Sequence, residues 1–154
     1  MYTPSLVKLG RFSSDEDPLK SLAFTPSEVE NHYYCLSGGL GETLQVHLVS
    51  FGQKGVTSQL ISSNKNQGSI GSVEVSPGSD GHLASGGDEG ILSIWQIPAD
   101  FSSGIHNESK GKKKKAALNN CVLPKLTEYK VHNGTIQSLN WINNQEVVSS
   151  SSCH

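Results

Sequence analysis

One short pattern of apolar residues and serine recurs three times along this chain. It places apolar residues at its first, fourth and sixth positions and a serine at its third. The copies are Leu19–Phe24, Ile70–Val75 and Ile136–Trp141. A repeated unit of this kind buries its apolar side chains against its neighbours in space. The repeat therefore limits the chain to a modular architecture of stacked units.

A second pattern, rich in serine and glycine, follows each copy of the first. Its copies are Leu36–His47, Ala84–Trp95 and an incomplete one from Val148 to His154. The small residues of Ser37–Gly39 and Ser85–Gly87 would let neighbouring sheets approach closely. Within Ile91–Ile97, apolar and other residues alternate with the period of two that is typical of a strand.

Together the two patterns predict an all-β chain made of four-stranded units. Strands are predicted near residues 19–24, 33–37, 44–49, 70–75, 82–85, 91–97, 136–141 and 146–149. The outer strands that complete the units are predicted at Leu6–Leu9, Gln59–Ser62 and Leu126–Lys130. Residues 101–122 are predicted to be a flexible loop, because glycine, serine and lysine dominate them. No segment shows the 3.6-residue period of an amphipathic helix.

The segments Gly68–Ile97 and Val131–Trp141 resemble the consensus of WD repeats. The resemblance covers nearly the whole chain, 1–154, with repeats near 19–50, 70–97 and 136–154. It implies an all-β, partial WD40 β-propeller of roughly two and a half blades, whereas a propeller closes with at least four. The chain is therefore expected to be part of a longer protein, and to aggregate or partly unfold when isolated, because open sheet edges invite pairing.

Four residues stand at positions that the WD family uses structurally. They are Asp88, Glu89, Trp95 and His132. His132 precedes Ile136 by four residues, as the histidine of the family's Gly-His dipeptide does. The family's turn aspartate is replaced in every copy, by Glu89 in the second. The buried His–Asp hydrogen bond of the family is therefore not expected within any one copy.

The order of parts is similar to that of the WD-repeat subunits of the PeBoW complex, which matures the large ribosomal subunit. The similarity lies in the loop between Phe24 and Leu36, a basic segment after the second copy, and the sequence NQEVVSSSSCH at residues 144–154. It implies a non-catalytic scaffold in the nucleolus that binds pre-ribosomal assembly factors. The alternative is a generic WD-repeat adaptor of a ubiquitin ligase, trafficking or cytoskeletal complex in the cytoplasm.

The strongest charge feature is the run Lys112, Lys113, Lys114 and Lys115. Runs of like charge are commonly solvated loop tips, and that is the simplest interpretation. A nuclear-import signal or a weak electrostatic contact to rRNA phosphates is the functional alternative. Aromatic residues that could stack on bases are absent from its flanks, so sequence-specific RNA recognition is not predicted.

No combination of residues points to catalysis, a metal or a cofactor. The three cysteines are widely spaced and the six histidines lack ligand spacing. Gly86–Gly90 is similar to the GGDEF signature of diguanylate cyclases, and Gly38–Gly41 to a phosphate-binding loop, but both lack the surrounding context that those motifs need. The net charge of −2 and the absence of a long apolar stretch exclude a bulk polyanion binder and predict no membrane span. The prediction is a reducing, intracellular compartment, protein partners and no small-molecule substrate.

Overall fold

The computed structural model describes residues 17–53, 55–78, 80–98 and 122–152, and every regular element among them is a β-strand. The first four strands are β1 (Leu19–Pro26), β2 (His32–Gly39), β3 (Thr43–Gly52) and β4 (Gly55–Lys65). The next four are β5 (Ile70–Val75), β6 (His82–Gly87), β7 (Ile91–Gln96) and β8 (Lys125–Lys130). The last two are β9 (Ile136–Trp141) and β10 (Val147–Ser151).

Each sheet is an antiparallel meander in which consecutive strands pair. Strands β1 to β4 form one four-stranded sheet, blade I, and β5 to β8 form a second, blade II. Strands β9 and β10 form a two-stranded sheet, blade III, within the described residues. The predicted all-β class is confirmed. The strand predicted at Leu6–Leu9 and residues 101–121 of the predicted loop lie outside the described residues.

The core lies between the blades. One buried cluster joins blades I and II, and its centre includes Leu36, Val46, Ile70 and Trp95. A second joins blades II and III through Ala84, Leu92, Ile136 and Leu139. The inner strands β1, β5 and β9 contact each other in succession. Since one sheet cannot bury both of its faces alone, each blade depends on its neighbour for stability.

The recurring serine of the first pattern bonds each blade to the next. The hydroxyl Oγ of Ser21 accepts the backbone N–H of Val73 at 2.9 Å. In the same way, Ser72 Oγ accepts the backbone N–H of Leu139 at 3.0 Å. Both contacts run from the third position of one copy to the fourth position of the next copy. The serine therefore fixes the register of blade on blade.

In blades I and II, the glycine that follows the second-pattern serine makes room for the next blade. A Cβ added to Gly38 would lie 2.5 Å from Ile70 Cγ2, and one added to Gly86 would lie 2.8 Å from Ile136 Cγ2. Ile70 and Ile136 are the first residues of their copies, and both are 0% exposed. The fully buried isoleucine of one blade thus packs on the bare backbone of the preceding blade.

Burial leaves the one described free thiol protonated at neutral pH. Cys35 is 1% exposed in β2. Desolvation by burial raises the pKa of the Cys35 thiol to about 11, so little thiolate forms near pH 7. Since the thiolate is the reactive form, Cys35 behaves as a small apolar core residue.

We expect Gly86→Val to destabilise the chain by about 1–3 kcal/mol, because the added side chain overlaps Ile136 and overpacks the blade interface. The matched control is Gly52→Val, at an exposed position. There an added Cβ would meet only Gly55 O, at 3.9 Å. Urea unfolding followed by tryptophan fluorescence, to which the buried Trp95 and the partly buried Trp141 contribute, measures both changes. Equal midpoints for the two variants would contradict the close approach of the blades.

Candidate protein-interaction surface

Two of the residues at predicted structural positions, Trp95 and His132, each make a hydrogen-bond contact with a serine. The two serines occupy the same position of the second pattern. Trp95 lies on β7, and its indole Nε1 donates to Ser85 Oγ on β6 at 2.9 Å. His132 precedes β9, and its Nε2 lies 2.8 Å from Ser149 Oγ on β10. These contacts join β6 to β7 in blade II, and β10 to the segment before β9 in blade III.

Asp88 and Glu89 lie in the exposed turn between β6 and β7. The carboxylate of Asp88 accepts a hydrogen bond from Ser69 Oγ and lies 3.6 Å from the Lys20 ammonium of blade I. The backbone carbonyl of Glu89 accepts a bond from Lys130 Nζ. Asp88 thus links two blades, a role that the pattern within one repeat could not reveal, because Lys20 is 68 residues away in sequence.

The lysine run, Lys112 to Lys115, lies outside the described residues. Over 17–53, 55–78, 80–98 and 122–152, no three His, Cys, Asp or Glu side chains come together where they could hold a metal ion. In those same ranges, no helix is long and apolar enough to cross a membrane. What the described residues do bring together is a set of loops at each rim of the blades.

The inner loops at one rim of the blades are acidic, and the surface that these loops form is called the acidic rim. The loops that join β1 to β2, β5 to β6 and β9 to β10 lie together there, because the blades repeat in the same orientation. Their carboxylates are Glu28, Glu30, Asp80 and Glu146, all exposed. Residues 27–31, 76–81 and 142–146 contain no lysine or arginine. The potential of these loops is therefore negative, although the chain's net charge is only −2.

A cleft between blades I and II opens at this acidic rim. Glu28 lines one side and Asp80 the other, and Tyr34 and Ile97 supply buried apolar surface. The remaining lining residues are Thr25, Pro26, Val75, Gly78, Gly81, Gln96 and Pro98. The Gln96 amide donates to Asp80 O at 2.7 Å and so holds the loop at the mouth of the cleft. An apolar floor with carboxylates at its edges suits a segment with basic and apolar side chains.

The opposite rim is mixed in charge. There Lys20 pairs with Asp88, and Lys130 bonds the carbonyl of Glu89. The sequence did not reveal the acidic rim, because its four carboxylates come from three loops that are far apart in the chain. Only the repeat could have located this rim, because it gives the three loops equivalent positions in their blades.

We expect Ser85→Ala to destabilise the chain by about 1–3 kcal/mol, because the buried Trp95 N–H loses its acceptor. The same change at Ser149, whose bond to His132 is only part-buried, should cost less than about 1 kcal/mol, since water can replace the lost partner. Urea midpoints of the two variants decide the matter. An equal loss of stability in the two variants would contradict the expectation that the more buried hydrogen bond contributes more.

No protein-family model and no curated protein matches the sequence of this chain. Its structure is similar to three crystal structures of Sqt1, a WD40 β-propeller protein from Chaetomium thermophilum, one of them bound to the N-terminus of the ribosomal protein L10. The TM-score is 0.58 in each case, at 16%, 18% and 17% sequence identity. The matches cover 84% of this chain but only 27% to 29% of the Sqt1 chains. At this identity the similarity shows the fold alone: the described sheets are a partial WD40 β-propeller.

Proposed function

We propose that this chain is part of a non-catalytic scaffold that binds proteins during ribosome assembly, with the acidic rim as its contact surface. The observation that carries the proposal is the set of exposed carboxylates on these three loops, Glu28, Glu30, Asp80 and Glu146. Two of them, Glu28 and Asp80, line the cleft with the apolar floor. Rim charges of one sign attract partners of the other and set their orientation. The partner segment is therefore basic, with apolar side chains that enter the cleft.

The likeness to Sqt1 supports a role in ribosome assembly. One of the similar Sqt1 structures holds the N-terminus of a ribosomal protein. The finer hypothesis is a PeBoW-type subunit that acts in pre-rRNA maturation in the nucleolus. It rests on the order of sequence features, including the basic segment outside the described residues. The competing hypothesis is a WD-repeat adaptor in a cytoplasmic ubiquitin ligase, trafficking or cytoskeletal complex.

Affinity capture with the full chain as bait tests the proposal. We expect quantitative mass spectrometry to find pre-ribosomal proteins, and their recovery to fall when Glu28, Glu30, Asp80 and Glu146 are changed to Gln or Asn. Recovery should also fall as salt is raised, because exposed charges are screened within about 8 Å at 0.15 M ionic strength.

The control for this capture removes two exposed carboxylates from the opposite rim, with Glu42→Gln and Glu89→Gln, and should leave recovery unchanged. Recovery of ubiquitin-ligase, trafficking or cytoskeletal subunits in place of pre-ribosomal proteins would favour the adaptor. Equal loss from both sets of variants would show that the acidic rim is not the contact surface.

We further propose that Lys112–Lys115 directs the parent protein to the nucleus. A reporter fused to residues 101–122 should accumulate in the nucleus, and replacement of the four lysines by Gln should reduce this accumulation, since import receptors bind clustered basic charge. Fluorescence microscopy measures the nuclear-to-cytoplasmic ratio. The control replaces Ser102, Ser103, Asn107 and Ser109 by Ala and keeps the lysines. Equal accumulation without the lysines would reduce the run to a solvated loop tip.

A further inference from the structure

The cleft between blades I and II has room for one long side chain. Its volume is about 290 Å³. Sites that enclose whole small molecules span roughly 300–1,000 Å³, so this cleft lies at the lower end of that range. Residues of the β1–β2 and β5–β6 loops line it, together with the apolar side chains of Val75 and Ile97. It therefore suits a side chain with a long apolar stem better than a free small molecule.

The charged groups of the cleft suit a cation. Glu28 lines it from the β1–β2 loop and Asp80 from the β5–β6 loop, and both are exposed. No lining residue is a lysine, an arginine or a histidine. Neither carboxylate takes part in an ion pair among the described residues. A cation that entered between the two loops would thus meet two carboxylates without displacing a basic side chain of the described residues.

Gln96 fixes one side of the cleft. Besides its bond to Asp80 O, its amide nitrogen Nε2 lies 3.5 Å from Gly81 O and 3.3 Å from Ile97 O. The backbone N–H of Ile97 donates to Gly81 O at 2.7 Å. Gly81 has a φ of 65°, and a Cβ added there would lie 3.0 Å from Ile97 O. The β5–β6 loop is therefore tied to the end of β7, and these contacts hold Asp80 at the cleft.

The acceptors around the cleft favour arginine over lysine. A guanidinium carries five N–H donors in a flat fork and can bond two carboxylates at once, whereas an ammonium is a compact and strongly hydrated charge. The amide nitrogen of Gln96 is directed at backbone carbonyls, so its amide oxygen is a third acceptor for a donor in the cleft. A guanidinium also stacks on aromatic rings, and the buried Tyr34 belongs to the lining.

We propose that this cleft binds one arginine side chain of a partner protein, held between the carboxylates of Glu28 and Asp80, with Gln96 as the residue that positions Asp80. The inference rests on the proposed function, because the arginine belongs to the basic segment that contacts the acidic rim. It narrows that contact from a general attraction to a pocket for one side chain. A few residues carry most of the binding energy of an interface, and arginine is enriched among them.

The test titrates the full chain into a fluorescein-labelled peptide, Gly-Leu-Arg-Leu-Gly, and follows the fluorescence anisotropy. Two matched peptides carry lysine or citrulline, an uncharged isostere, in place of the arginine. We expect saturable binding of the arginine peptide. The lysine peptide should bind about threefold more weakly, because it lacks the flat fork of donors. The citrulline peptide should bind at least about tenfold more weakly, because it loses its charge-assisted hydrogen bonds.

Substitutions in the chain separate the cleft from the rest of the acidic rim. Glu28→Gln and Asp80→Asn should each weaken binding of the arginine peptide about fivefold or more. Glu146→Gln, on the β9–β10 loop outside the cleft, should weaken it less than about twofold, since exposed charges are screened by salt. Glu42→Gln, on the opposite rim, should leave binding unchanged. Each variant removes one negative charge, so the comparison tests position and not net charge.

Gln96→Met tests the positioning role, because it keeps the charge and approximate length of the side chain but removes its amide. Binding of the arginine peptide should weaken about threefold, and its advantage over the lysine peptide should shrink. A chain that is merely less stable would bind both peptides more weakly by the same factor. Hydrogen exchange at the Ile97 amide, measured by NMR, should accelerate as its bond to Gly81 O loosens. Gln59→Met, at an exposed position on β4, is the matched control and should change none of these measurements.

Three results would overturn the proposal. One is an arginine peptide that binds no more tightly than the lysine or citrulline peptide. Another is equal weakening by Glu28→Gln and Glu146→Gln, which would show a general attraction to the rim. The third, unchanged binding and unchanged preference in Gln96→Met, would remove Gln96 from the site. Failure to capture pre-ribosomal proteins, with these peptide results intact, would overturn the proposed function and leave the arginine pocket standing.

Discussion

The packing of one blade's first residue on the glycine backbone of the preceding blade is the contact on which the rest of this structure depends. Ile70 and Ile136 are fully buried because Gly38 and Gly86 leave no side chain in their way. The neighbouring serine bonds, from Ser21 to Val73 N–H and from Ser72 to Leu139 N–H, hold the same two pairs of blades in register. Apolar burial supplies the stabilisation, and the hydrogen bond selects one alignment of the sheets.

The same rule explains which copies of the repeat are buried. The fourth residue of the pattern is 2% exposed at Val73 and 5% exposed at Leu139, but 54% exposed at Leu22. Val73 and Leu139 each face a preceding blade, whereas no described blade covers Leu22. Burial in this fold therefore depends on pairs of blades. An apolar residue at a core position of the pattern stays exposed to solvent unless a neighbouring sheet packs on it.

The strands could be predicted from the sequence because their signals are local: a period of two, with glycine and serine where sheets meet. All described strands lie at or within a few residues of the predicted ones. The acidic rim could not be predicted in this way. Glu28, Asp80 and Glu146 come from loops whose proximity depends on blade stacking, which no single segment encodes. The Lys20–Asp88 contact was missed for the same reason, since it joins two blades.

Blade III shows where the repeat rule stops. Ser150 occupies the position at which Gly38 and Gly86 receive an isoleucine, and it is exposed. Ser138 and Asn140 also lie on that face, opposite Ser150 and Val148 in the β9–β10 pairing, so the face is mostly polar. A sheet that packed there with an isoleucine in the usual place would collide with the Ser150 side chain. The apolar surface of blade III is instead on its other side, where Trp141 and Val147 pack against the buried cluster that joins blades II and III. The two faces of this small sheet thus differ in polarity. The polar side departs from the pattern that stacks the blades, and the apolar side keeps it.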